Sequence, residues 1–159
     1  VRSEPREGDV MPRSVRSMSP VELVLLLRRI ALFAGLTPPE LERIAAVAEE
    51  CSFSDGDVIG AEGDLGDELH VILEGTTRVA RADGTTIARR GNGDVVGEMS
   101  LITHSPRIAT LIAEGDVRTV RIGHREFEGM VRERPDIALA VMRVLAERLA
   151  AASGGTTGE

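Results

Sequence analysis

The chain has 159 residues and a formal charge of −7, a length that suits one domain with a sizeable core plus short extensions. That acidic balance argues against a protein that grips nucleic acid through a basic face. All 19 basic residues are arginines, which excludes a lysine-based phosphate loop and Schiff-base chemistry, and the lone Cys51 excludes an internal disulfide or a cysteine zinc site.

Residues 1–18 mix Arg, Glu, Pro, Ser and Gly without apolar periodicity and read as a linker or tail. Ser19-Pro20 then opens a helix, with Ser as cap and Pro at the first helical position. Its apolar residues Val21, Val24, Leu25, Leu27 and Ile30 wrap more than one face, so the helix calls for two neighbours. One of these is expected outside the domain, in a second protomer or in the rest of a larger parent protein. The segment is too short and too interrupted by Glu22 to span a bilayer, and no signal peptide is visible. The chain begins with Val rather than Met and is expected to be a piece of something longer.

Thr37 caps the next helix, with Glu40 at its third position and a buried stripe of Leu41, Ile44, Ala45, Val47 and Ala48. From Cys51 the pattern becomes short strands punctuated by Asp55-Gly56, Asp83-Gly84 and Asn92-Gly93. The spacing predicts strands near 51–54, 57–62, 68–74, 76–82, 85–90, 94–96, 107–113 and 116–123. This is an α+β chain, an eight-stranded jelly-roll-like β-roll flanked by N-terminal and C-terminal helices. Helices follow at 124–132 and from Pro135 to about residue 152, the latter with Ile137, Val141, Leu145 and Leu149 at every fourth position. The domain is expected to cover 19–152, and 153–159 reads as a flexible tail.

Gly97-Glu98-Met99-Ser100-Leu101, followed by Pro106-Arg107-Ile108-Ala109-Thr110, carries the chemistry. A glycine at a turn lets backbone approach a ligand, and N–H groups at the start of a short helix can point at an anion. Arg107 supplies a forked donor for a phosphate, and Glu98 an acceptor for sugar hydroxyls. The passage resembles the phosphate-binding cassette of the cyclic nucleotide-binding domain family, found in catabolite activators, regulatory subunits of cyclic-AMP-dependent protein kinase and cyclic-nucleotide-gated channels. With Leu32-Phe33-Ala34-Gly35-Leu36 and the terminal helices, the resemblance covers roughly residues 20 to 152. It implies that Arg107 binds the cyclic phosphate and that Glu98 accepts from the ribose 2′-hydroxyl. Gly97, Met99 and Ser100 would add backbone N–H groups.

Two positions depart from the family. Ser100 stands where most members carry Ala. Ile108 replaces the small or hydroxylated residue that often follows the arginine; it offers guanine no hydrogen bond, so cyclic AMP, not cyclic GMP, is the default ligand. The last helix has no aromatic residue, so the base cap is expected to be aliphatic, from Val141, Met142 and Leu145. His70, His104 and His124 are dispersed, with no His-x-His pair, and no metal is expected. No nucleophile–base pair is visible, so the chain reads as a sensor and not an enzyme.

The resemblance implies a regulatory module, cytoplasmic or the cytosolic part of a membrane protein, that binds a cyclic purine nucleotide and moves its C-terminal helices in response. Direct nucleic-acid binding by this fragment is not expected. Two other readings stay open: a ligand-independent interaction or oligomerisation module, and the sensor fragment of a transcription regulator.

Overall fold

The computed structural model describes residues 18–98 and 103–153. The expected tails therefore lie outside the described residues except for Met18 and Ser153, and so do Met99 and Ser100.

Helix α1 (Pro20–Leu27) begins as its sequence implies. The Ser19 hydroxyl accepts from the Glu22 N–H at 3.2 Å, and the Glu22 carboxylate accepts from the Ser19 N–H at 2.9 Å, a reciprocal capping box. Leu23 and Leu27 are buried, while Val21 and Leu25 stay 68% and 54% exposed, so the second apolar face is open to solvent. A short 3-10 turn, Ala31–Phe33, buries Leu32 and Phe33. In α2 (Pro38–Val47), Thr37 caps through Glu40, and Leu41 and Ile44 face inward.

Six strands follow among the described residues: β1 (Glu49–Phe53), β2 (Val58–Gly60), β3 (Glu68–Ala80), β4 (Thr86–Arg90), β5 (Val95–Val96) and β6 (Thr110–Gly123). All pairings are antiparallel, in the order β1-β6-β3-β4, with β2 on β6 and β5 on β3. The count differs from the predicted eight because two predicted pairs of strands are continuous. β3 runs through Gly75 and β6 through Gly115, both at positive φ, and the Glu74↔Arg118 and Thr76↔Glu114 pairings set these bends opposite each other. Gly75 is required there: a Cβ would lie 2.5 Å from the Asp116 carbonyl oxygen. What looks like two turns in the sequence is one double-stranded ribbon bent across its middle.

Two cores result. Cys51, Phe53, Ile72, Val96, Leu111, Ala113 and Val117 fill the roll. A larger cluster joins Leu69, Val71, Val120 and Ile122 of the sheet to Leu27, Phe33, Leu41 and Ile44 and to the C-terminal helices. Those are α3 (His124–Glu133) and α4 (Pro135–Ala152), which contribute Phe127, Ile137 and Val141. Arg134 fixes the corner between them, donating to Asp136 at 2.8 and 3.0 Å, to the Gly35 carbonyl at 3.0 Å and to Glu40. Among the described residues, no helix is long and apolar enough to cross a membrane.

Candidate ligand-binding site

Arg107 is positioned by backbone first. Its N–H donates to the Asp64 carbonyl and its carbonyl accepts from Gly63, each at 2.8 Å, while Pro106 bridges to Leu65. Its side chain then passes between two glycines. A Cβ on Gly60 would lie 2.7 Å from Arg107 Nε, and one on Gly97 would lie 3.0 Å from Nη1 and 2.8 Å from the Glu68 carbonyl oxygen. Gly97 also holds φ at +88°. Neither position has room for a side chain while the guanidinium lies there.

Burial pulls the Arg107 pKa below its ordinary value, and the surrounding charges of Glu68, Asp64, Glu98 and Asp67 pull it back up. Among the described residues none of these carboxylates closes to an ion pair with it. A guanidinium that keeps its charge, is half removed from water and lacks a bonded partner among the described residues is suited to an anion that can take its paired N–H groups.

Glu98 differs. It is 5% exposed, and its Oε1 accepts from Arg148 Nη1 on α4. The other terminal nitrogen of Arg148 donates to the Val95 carbonyl. One arginine of the last helix thus bridges the carboxylate and the backbone of β5. Sequence reading missed Arg148: it is one of 19 arginines and lies 50 residues from its partner. Its only sequence signal is its place on the cleft-facing side of a helix that is otherwise Ala- and Leu-rich.

A cleft of about 440 Å³ adjoins this bridge between β4, β5 and α4; Ile87, Ala88, Arg90, Val95, Val144 and Arg148 line it. The expected cap residues lie elsewhere. Val141 is buried in the helical core, Leu145 packs on that same core, and Met142 is exposed. The reason is helical phase: the strongest apolar repeat, 137-141-145, is the core-facing stripe, and the cleft faces the stripe that carries Val144, Arg148, Ala151 and Ala152. Ile108 is 66% exposed, on the surface next to Arg107.

His70 lies beneath. Buried on β3, it shares a 2.9 Å hydrogen bond between Nδ1 and Thr119 Oγ1. Burial, with Arg107 and Arg121 adding to it, lowers its pKa to about 3, so the ring is neutral and adds no second positive charge below the guanidinium.

An antiparallel roll that seats a half-buried guanidinium between glycines, on a segment whose carboxylate is held by the final helix, is a candidate site for a small anionic ligand. Its family is equally plain: the chain belongs to the cyclic nucleotide-binding domain family, whose model matches residues 50–134. A cAMP-activated global transcriptional regulator of the CRP-like kind from Mycobacterium tuberculosis is 29% identical over 128 residues, 78% of this chain and 57% of that protein. The catabolite activator protein of Thermus thermophilus is 30% identical, with a TM-score of 0.69 over 77% of this chain and 60% of its own. The regulatory subunit of a cAMP-independent protein kinase A from Trypanosoma brucei is 27% identical, with a TM-score of 0.70 over 83% of this chain and 46% of its own. The chain spans less than two thirds of the length of each of these relatives.

Proposed function

We propose that this chain is the regulatory sensor of a larger protein, binds cyclic AMP, and couples that binding to movement of α4. The observation that carries the reading is the seat of Arg107: a charged, half-buried fork without an ion-pair partner among the described residues, cradled by Gly60 and Gly97. The cyclic phosphate takes that fork. The ribose 2′-hydroxyl, carried over from the family resemblance, donates to Glu98, and the base enters the cleft against Ile87 and Ala88. Ile108 offers guanine no hydrogen bond, which leaves adenine favoured.

The coupling runs through Arg148. A ribose hydroxyl arriving at Glu98 competes with it, and losing that bond leaves Arg148 only the Val95 carbonyl, loosening α4 so that it can repack over the base. The ligand shifts a pre-existing equilibrium, and near-complete conversion needs roughly a 10⁴-fold preference for the released state, about 5.5 kcal/mol.

A second reading is favoured by the same contact. With Arg148 already filling Glu98, the domain is satisfied without ligand and would serve as an interaction module, and the trypanosomal relative is described as cAMP-independent. Calorimetric titration with cyclic AMP and cyclic GMP separates the two; the chain has no Trp or Tyr for intrinsic fluorescence. The sensor reading expects saturable heat with cyclic AMP and weaker binding of cyclic GMP. A folded chain that gives no heat with either nucleotide would leave the interaction module.

A further inference from the structure

Away from Arg107 and Glu98, the fold gathers three side chains that are far apart or unremarkable in sequence. His104, His124 and Glu128 each present a ligand-type atom, and these atoms lie within 4.8 Å of one another. We propose that they form a binding site for a divalent transition-metal ion, for which zinc is the probe.

His124 and Glu128 sit one turn apart on α3, with Nε2 and Oε1 3.3 Å from each other. Tetrahedral zinc with bonds of about 2.0–2.1 Å needs donor atoms roughly 3.3–3.4 Å apart, so two of the three donors already have the required separation. The His104 ring meets the His124 ring edge-on, with centroids 4.5 Å apart and planes at 83°. Its side chain is exposed, and binding would require it to turn so that its nitrogen, now within 4.8 Å of the other two donors, completes the set. Two imidazoles and one carboxylate are a donor set that suits zinc, nickel, copper or cobalt rather than magnesium or calcium. The solvent side leaves a fourth position for water.

His104 is also the one non-glycine among the described residues at positive φ, +56°, and that backbone conformation brings its ring against His124. The N-terminal end of α3 opposes a cation at His124, and the Glu126 and Glu128 carboxylates of the same helix offset it. A bound ion would fasten the segment three residues before Arg107 to the start of the helical pair α3–α4. The site itself does not depend on nucleotide binding.

The test uses the metal alone. The metal-free chain is titrated with zinc, by calorimetry and in competition with a chromophoric chelator, next to His104→Asn and Glu128→Gln. Asparagine tolerates the left-handed backbone, so the first variant removes a donor without straining the loop. The expected result is one zinc per chain, weakened at least about 10-fold in each variant, the scale that losing outer-shell support alone brings. Absence of binding, or wild-type affinity retained in both variants, overturns the site. Should a variant fail to fold, the wild-type His104 and His124 ring resonances decide: both must shift with one equivalent of zinc, and unmoved rings reject it.

Discussion

The two ends of the 97–107 segment are built to opposite plans. At the Arg107 end the charge has no bonded partner among the described residues, and its seat is lined by glycines and backbone. At the Glu98 end the charge is buried and already paired, by an arginine from the far end of the chain. An open cation gives affinity, because arriving phosphate replaces water and not a protein group. A closed carboxylate gives communication, because whatever binds it must deal with the helix that holds it. On the proposed reading, affinity and signalling rest on different residues and are separable by mutation.

The largest effect should fall on the open end. Arg107→Ala removes the charge-assisted fork and is expected to weaken cyclic AMP binding by about 2–4 kcal/mol, roughly 30- to 1000-fold, with the melting temperature nearly unchanged. Calorimetry with a thermal melt of the same sample checks both halves. Unaltered affinity would break the comparison at once.

Next comes the glycine seat. Gly97→Ala sets a Cβ 2.8 Å from the Glu68 carbonyl oxygen and 3.0 Å from Arg107 Nη1 at φ +88°. It should cost about 1–3 kcal/mol of stability, read by urea denaturation, and lower nucleotide affinity as the guanidinium is pushed aside.

Smaller still is a pH effect. His70 has its folded pKa lowered to about 3 from 6.5, so the unfolded chain takes up the proton first as pH falls. Its stabilising contribution is whole above pH 6.5 and shrinks below it, by about 1.4 kcal/mol per pH unit, over a window that runs down toward the folded value. Denaturant midpoints between pH 7 and about 5 should show this slope, flattened in His70→Gln. A wild-type slope equal to the variant's would mean that His70 is not held neutral by burial in the folded chain.

How much of this was legible in the sequence depends on the range of the contact. Ser19 and Thr37 cap through partners three residues on, so local spacing was enough. Gly97, Glu98 and Arg107 share one short segment, so the sequence alone offers them as a candidate site. Gly75 and Gly115 were misleading: a glycine inside an apolar run marks a turn or a bend equally well, and only pairing across β3 and β6 decides. The expected cap of Val141, Met142 and Leu145 follows apolarity, which reports burial and not which neighbour buries it. Arg148 against Glu98, and His104 against His124, are tertiary meetings that no spacing encodes.

The most direct test is cyclic AMP titration into Arg148→Ala, with Arg107→Ala alongside. The account predicts opposite signs: Arg107→Ala loses affinity, while Arg148→Ala gains it severalfold, because the ribose no longer competes for Glu98. Should Arg148→Ala bind more weakly than wild type, Arg148 would be part of the bound site and not its competitor, and release of α4 through this contact would be contradicted.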